Sequence, residues 1–222
     1  DCILTCHWHH ARFDLASGCT FDLWADDVPT CPVELRDGEV WIKPSFGHGG
    51  VVDEFFRDHD PRAIFGAPVD VAFLDGLHQF EYLLRDFLNT ERVCGPNSLI
   101  LLDDCMPGSL EMTERKHRPE LRQDKAHAGW WTGDVWKVVP ILREYRPDLR
   151  ITPVDVTPTG SIVVSNLDPG STRLSDAYFE IVDRFAPLEF DAGSFAEYWR
   201  VNAPVPAAAL IDDFELSLRV RV

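Results

Sequence analysis

The stretch "VDVAFLDGLHQFEYLLRDF", residues 69–87, decides the fold class. Its first half is a nearly continuous apolar run, which is typical of a strand buried on both faces of a parallel sheet. Its second half repeats apolar residues at helical spacing, which predicts an amphipathic helix. Phe80, Leu83, Leu84, Phe87 and Leu88 form its apolar face. The strand therefore turns directly into a helix, and an acid, Asp75, stands at the turn.

A second buried strand follows this helix. "SLILLDD", residues 98–104, is again apolar and again ends in acids, and the intervening "CGPN" is typical of a turn. Strand, helix and strand predict a right-handed βαβ unit with parallel strands. The class predicted for the whole chain is therefore α/β.

The remainder of the chain is consistent with that class. Residues 106–128 are too polar for a core, and residues 133–145 and 174–190 have helical patterns. "RITPVDV" and "SIVVSNL" flank a Pro-Thr-Gly turn, which predicts an antiparallel pair. Asp134 and Lys137 are interpreted as solvated helix residues.

Composition excludes some partners. Lys and Arg total 21 against 37 Asp and Glu, a net charge of −16, so nucleic acid is not an expected partner. No apolar run is long enough to span a membrane. The six cysteines in a chain of this length favour a reducing, cytoplasmic location over a disulfide framework. A homo-oligomer is left open.

The strand ends carry the chemistry. Ligands of open α/β sheets bind at the carboxyl ends of strands, where Asp75, Asp103 and Asp104 are expected to converge. Three carboxylates there favour a divalent cation with oxygen ligands, Mg²⁺ or a related ion. His78, on the first helical turn, is placed to take a proton from a substrate hydroxyl.

Each residue also has a purely structural interpretation. Asp75 could cap the helix that follows it. Asp103 and Asp104 could belong to a solvated turn, and His78 could simply begin a helix. Acids at two adjacent strand ends favour a site over three separate coincidences.

The same residues carry a resemblance to a known family. "FLDGLHQFEYLLRDF" and "LILLDDC" resemble class I S-adenosylmethionine-dependent methyltransferases, closest to a small-molecule O-methyltransferase-like branch with a D-G-x-H-x-Y-E signature. The resemblance spans about residues 51–190, with Phe80 in place of the signature Tyr. It implies a Rossmann-like methyltransferase fold with a mostly parallel sheet, helices on both faces and an antiparallel last strand.

The resemblance also implies roles for individual residues. The metal-dependent catechol and caffeoyl-coenzyme-A O-methyltransferases bind their metal with an Asp after strand four and an Asp-Asn pair after strand five. Asp75, Asp103 and Asp104 stand at the matching positions, and His78 stands where that family has its general base, a Lys. Contacts to S-adenosylmethionine are implied for Asp75, Gly76 and Leu77.

Residues 1–50 depart from the family pattern. The Gly-rich turn after strand one, of the E/D-x-G-x-x-G type, is not recognisable; "FDLASGCT" lacks its first Gly. Asp26 or Asp27 is the candidate for the acid that holds the cofactor ribose. The predicted organisation is an atypical or truncated N-terminal part (1–50), a methyltransferase-like core (51–190) and a C-terminal extension (191–222).

The expected function is metal-assisted methyl transfer from S-adenosylmethionine to a hydroxyl of a small molecule. Two alternatives stay open: an inactive or truncated relative with a binding role, and a hydroxylase-like relative of the same fold.

Overall fold

The computed structural model describes residues 67–211 and, nearer the N-terminus, the backbone of four short strands. The chain divides into two compact units, Asp1–Gly50 and Val51–Val222. In the first unit, β1 (Ile3–Thr5) pairs antiparallel with β2 (Arg12–Asp14). β3 (Val33–Arg36) likewise pairs antiparallel with β4 (Glu39–Ile42).

The second unit alternates strands and helices. Its strands are β5 (Val69–Leu74), β6 (Cys94–Leu102), β7 (Arg150–Val154) and β8 (Ser161–Ser165). Its α-helices are α1 (Phe80–Glu91), α2 (Val138–Tyr145), α3 (Arg173–Asp176), α4 (Tyr178–Phe185) and α5 (Ala192–Val201). Short 3₁₀ helices cover Leu110–Thr113, Pro119–Leu121, Val135–Lys137 and Ala207–Ile211.

The four strands form a mixed sheet of order β5-β6-β8-β7. β5 and β6 are parallel, as the predicted βαβ unit requires, whereas β8 runs antiparallel to both β6 and β7. The expected antiparallel last strand is thus confirmed, and the expectation of a mostly parallel sheet is wrong. The reason is the short connection between β7 and β8, which leaves no room for the crossover that parallel strands need.

The predicted turn "CGPN" is wrong in a specific way. Cys94 already pairs with Val69, and the next partners are Val71 and Leu99, so four residues of β6 lie against one of β5. The Ser98 hydroxyl accepts a hydrogen bond from the Gly95 N–H within this bulge and donates one to the Val69 carbonyl. The Gly-Pro-Asn signal therefore marks a bulge inside the strand, not a turn before it.

The main core lies on one face of the sheet. The α1 side chains Phe80, Leu83, Leu84 and Phe87 are buried there, as their spacing predicts, and Leu88 packs against them partly buried. Ile100 and Leu102 of β6 and Ile162 and Val164 of β8 form the sheet side of this core. The segment from residue 191, predicted as an extension, contributes the buried Tyr198 of α5 to it.

The opposite face of the sheet has a smaller cluster. Val154 and Val163 are buried there, and the partly buried Leu99 and Leu101 pack on them together with Ala207 and Leu210 of the last 3₁₀ helix. Val71 and Phe73 of β5 are exposed. Within residues 67–211, the second face is thus packed by a 3₁₀ helix and not by the α-helices expected on both faces. No helix in the described part of the chain is long and apolar enough to cross a membrane.

Candidate metal centre at the strand ends

Two parallel strands bring the candidate site together. Leu74, the last residue of β5, pairs with Leu102, the last residue of β6, and the Asp103 N–H donates to the Leu74 carbonyl. Both strands therefore end at the same edge of the sheet. Asp75 and Asp104 leave from that edge next to each other, which is the arrangement expected of a ligand site in an α/β sheet.

Three side chains converge there: Asp75, His78 and Asp104. The His78 Nε2 atom lies 3.1 Å from Asp104 Oδ2 and 3.6 Å from Asp75 Oδ1. One potential ligand atom from each residue lies within 4.8 Å of the other two. Asp104 is the least exposed of the three, with 13% of its side chain accessible, against 26% for His78 and 47% for Asp75. Asp104 thus lies on the protein side of the cluster, and Asp75 lies on its solvent-exposed side.

Asp104 is held in an unusual conformation. Its φ of 58° is left-handed, a region that Asp adopts more readily than most residues. Its Oδ1 atom accepts a hydrogen bond from the Thr159 hydroxyl, which leaves Oδ2 facing His78. Burial is the main factor that raises the pKa of the Asp104 carboxyl, with Asp103 and Asp75 adding to it and Thr159 and His78 opposing it. A negative charge at Asp104 is therefore costly in the absence of a cation.

Asp103 does not join the three. Its Oδ1 atom accepts a hydrogen bond from the Ser161 hydroxyl at 2.7 Å, which ties β6 to its neighbour β8. The sequence proposed Asp75, Asp103 and Asp104 as metal ligands with His78 as a separate base. The structure groups Asp75 and Asp104 with His78 instead.

The segment Trp131–Asp134 contacts both the ring and the backbone of His78. The Trp131 carbonyl accepts a hydrogen bond from the His78 Nδ1 atom, and the Trp131 indole stacks on the imidazole at 5.0 Å between ring centroids. The Asp134 N–H donates to the His78 carbonyl at 3.3 Å. Gly133 has a φ of 58°, and a Cβ atom there would lie 1.7 Å from the His78 carbonyl oxygen. Only glycine permits this close approach.

Trp131 is itself fixed by the polar segment before it. Its indole N–H donates to the Glu114 carbonyl, and the His117 ring stacks on it at 5.5 Å. Arg122 is buried and forms an ion pair with Glu114 at 3.0 Å, while also donating to the Trp130 carbonyl. The segment predicted to be too polar for a core is therefore ordered around one buried arginine.

A buried ion pair lies beside the His78 backbone. Asp134 and Lys137, interpreted from the sequence as solvated, are 3% and 2% exposed, so that interpretation is wrong. The Lys137 ammonium donates to Asp134 Oδ2 at 2.9 Å, and Arg115 donates to the same oxygen. Asp134 Oδ1 accepts the N–H of Phe80, so it is Asp134, 54 residues away, that caps α1. Sequence spacing gives no signal of this long-range cap.

The residues expected to contact S-adenosylmethionine lie in different settings. Gly76 and Leu77 follow Asp75 in the loop before α1, and the Leu77 side chain is 59% exposed. Asp26, Asp27 and the candidate turn "FDLASGCT" lie, apart from the backbone of Phe13 and Asp14 in β2, outside the described residues.

A cavity of about 510 Å³ lies next to the elements that hold His78. Gln79 and Asp134 are among its lining residues, together with the aromatic rings of Trp136 and Phe190. Four basic side chains also line it: Arg115, Lys116, Arg118 and Lys137. Its volume is in the range of small-molecule pockets.

No protein-family description, no curated protein and no solved structure matches this chain. The site is therefore interpreted from its own geometry and chemistry.

Proposed function

We propose that this protein is an S-adenosylmethionine-dependent enzyme that transfers a methyl group to a hydroxyl of a small molecule with the help of a divalent cation. The observation that carries the proposal is the convergence of Asp75, His78 and Asp104 at the carboxyl ends of two neighbouring parallel strands. Supporting it are the residues that resemble the methyltransferase family, which include Asp75 and His78, and the antiparallel last strand that the resemblance implies.

The donor set fits a divalent cation. Two carboxylates and one imidazole nitrogen are groups that divalent ions bind, and their spacing allows one ion to reach all three. Such an ion, when bound, lowers the pKa of a hydroxyl group beside it. Asp75, the most exposed of the three, is on the side from which a substrate would enter.

The roles of the individual residues follow from their contacts. Thr159 holds Asp104 so that Oδ2 faces His78, and Trp131 holds His78 so that Nε2 faces the two acids. That position of Nε2 serves either of two roles, general base or metal ligand. Asp103 stabilises the end of the sheet through Ser161.

S-adenosylmethionine, when bound, supplies the methyl group. Asp75, Gly76, Leu77 and Asp26 are its proposed contacts on the basis of the family resemblance. Of these, the three at the end of β5 are next to His78 in sequence, which would bring the methyl donor close to the cation site.

Binding and turnover test the proposal. We expect calorimetric titration of the full chain with S-adenosylmethionine to show binding that strengthens when Mg²⁺ or Mn²⁺ is present. We expect S-adenosylhomocysteine to form when catechols or sugars are offered as acceptors, and Asp75→Ala to abolish its formation. Absence of binding at millimolar S-adenosylmethionine with metal present would show that the protein is not a methyltransferase.

The cavity favours a second candidate, a protein of this fold that binds a small molecule without catalysis. Arg115 pairs with Glu81 and Asp134, and Lys137 also pairs with Asp134. Arg118 pairs with Glu114, whereas Lys116 forms no ion pair with any residue of the described part. The acids Glu114, Asp134 and Glu189 also line the cavity, so an anionic ligand would bind there chiefly through Lys116. Tight binding of a small carboxylate or phosphate compound without any methyl transfer would favour this candidate.

A further inference from the structure

The hydrogen bond that orients His78 indicates which of its ring nitrogens faces the two acids. The Nδ1 atom is hydrogen-bonded to the Trp131 carbonyl oxygen. A carbonyl oxygen only accepts hydrogen bonds, so Nδ1 carries the proton in this bond. In the neutral ring the other nitrogen, Nε2, then has no hydrogen and presents its lone pair.

That lone pair points toward two carboxylates. Nε2 lies 3.1 Å from Asp104 Oδ2 and 3.6 Å from Asp75 Oδ1, and ionised carboxylate oxygens are also acceptors only. A single proton on Nε2 would balance only one of the two carboxylates, whereas a divalent cation bound by all three atoms would balance both. Ligand atoms about 2.1 Å from one ion are themselves roughly 3 Å apart, close to the separations seen here.

We propose that His78 is a metal ligand through Nε2 and that the centre selects a divalent transition metal of the Mn²⁺ or Fe²⁺ kind over Mg²⁺. This inference rests on the cation site of the proposed function and names the class of its metal. Mg²⁺ binds oxygen ligands and retains its waters, whereas imidazole nitrogen is a ligand for iron, nickel, copper and zinc. One imidazole with two carboxylates suits the metals that accept both.

Neighbouring groups hold His78 and Asp104 in the orientations that metal binding requires. Metal-binding histidines commonly donate their second ring N–H to a backbone carbonyl, as His78 does to Trp131. Asp104 is likewise fixed through Oδ1 by Thr159, which keeps Oδ2 available. Both ligands are thus oriented by partners that leave one donor atom free for the ion.

Asp103 provides the contrast to His78. Its Oδ1 atom is engaged by Ser161, and Asp103 is absent from the group of converging ligand atoms. If Asp103 were the third ligand, His78 would be free to serve as a base. The two assignments therefore predict opposite effects of two substitutions, at position 78 and at position 103.

The first test measures Mn²⁺ and Mg²⁺ binding to the full chain by calorimetry after treatment with a chelator. Mn²⁺ is the probe because the six cysteines prefer softer ions such as Zn²⁺. We expect Mn²⁺ to bind at least about tenfold more tightly than Mg²⁺, and His78→Ala to weaken Mn²⁺ binding by about tenfold or more. Asp103→Asn should change it by less than about twofold.

A matched control is His127→Ala. His127 also pairs with an aspartate, Asp124, at 2.7 Å, but within residues 67–211 it belongs to no group of three potential ligands, so its loss should leave Mn²⁺ affinity unchanged. Equal affinities for Mg²⁺ and Mn²⁺, or an unchanged affinity in His78→Ala, would overturn the proposal. So would an affinity loss in Asp103→Asn as large as that in Asp75→Ala, which would restore the assignment of His78 as base.

The second test needs no substitution at His78. Pulsed electron paramagnetic resonance of bound Mn²⁺ should show coupling to a ¹⁴N nucleus. Because the chain has eight histidines, the coupling is assigned to this centre when Asp104→Asn removes it, even if His78→Ala fails to fold. Bound Mn²⁺ without nitrogen coupling would overturn the ligand role. The outcome is independent of methyl transfer: nitrogen-ligated Mn²⁺ without S-adenosylmethionine binding would reject the proposed function and leave the metal assignment intact.

Discussion

Two aspartates within this unit, Asp134 and Asp104, have opposite electrostatic surroundings. Asp134 is buried between two cations, Lys137 and Arg115, and also accepts the N–H of Phe80. Asp104 is partly buried and has two further acids nearby, Asp75 and Asp103, and one imidazole. Cationic side chains of the chain balance the charge of Asp134, whereas one imidazole, His78, faces Asp104 together with the two neighbouring acids. This difference distinguishes a structural ion pair from a candidate site.

The largest effect is expected when the structural pair is broken. Asp134→Asn leaves the buried Lys137 ammonium without its acid, and breaking a buried pair costs about 3–5 kcal/mol. Urea denaturation of the wild type and the variant measures the change. Adding Lys137→Met to Asp134→Asn should recover part of the loss, because no unpaired buried charge then remains. If Asp134→Asn lowers the free energy of unfolding by less than about 1 kcal/mol, Asp134 is not part of a structural ion pair.

A second large effect is expected at Gly133, which precedes Asp134 in sequence and contacts His78. Gly133→Ala places a Cβ atom against the His78 carbonyl and requires a left-handed φ, so we expect a loss of about 2–4 kcal/mol in stability. It should also weaken Mn²⁺ binding, because His78 must move.

Gly129→Ala is the control for this substitution, since a Cβ atom there would meet nothing within 4 Å. It should leave both the melting temperature and Mn²⁺ affinity near those of the wild type. Equal effects of the two alanines would show that the contact between Gly133 and His78 has no special importance.

At Asp104, in contrast, we expect a substitution to raise the stability of the metal-free protein. Asp104→Asn removes one negative charge from a partly buried group of acids and keeps an acceptor for Thr159. We expect the metal-free protein to become more stable by about 0.5–1 kcal/mol, while the rise in melting temperature on adding Mn²⁺ is lost. Thermal denaturation with chelator and with Mn²⁺ measures both changes. Destabilisation of the metal-free protein by Asp104→Asn would indicate that its ion pair with His78 is structural.

The smallest effect is expected at Asp148, a partly exposed acid that pairs with Arg146. Arg146 pairs with the buried Glu91 and with Asp148, and its hydrogen bonds lower the pKa of the Asp148 carboxyl. A lowered pKa means that the ionised form stabilises the fold above about pH 4, the value of an unfolded Asp, and that this contribution disappears as the pH falls through the folded pKa.

Asp148→Asn should therefore cost less than about 1 kcal/mol at pH 7, since a third of the side chain is exposed to solvent. Urea denaturation from pH 7 to pH 3 should show the two proteins converging at the acid end. A gap that stays constant over that range would contradict an electrostatic origin.

The sequence by itself determined the local structure around the site. The apolar run of β5, the apolar face of α1 and the acids after both parallel strands are local patterns, and the structure has all three. They are predictable because a strand and an amphipathic helix each have a period that the side chains must follow. The predicted burial of β5 on both faces is wrong, since Val71 and Phe73 are exposed.

Only the tertiary structure decided which groups meet. The exchange of Asp103 for His78 in the cluster depends on Ser161, Thr159 and Trp131, which lie more than 50 residues from His78 or from the end of β6. The same is true of the burial of Lys137 and of the cap that Asp134 provides for α1. Local patterns fix which face of an element is apolar, whereas the partner of a polar side chain is fixed by the packing of distant segments, and no sequence period encodes that packing.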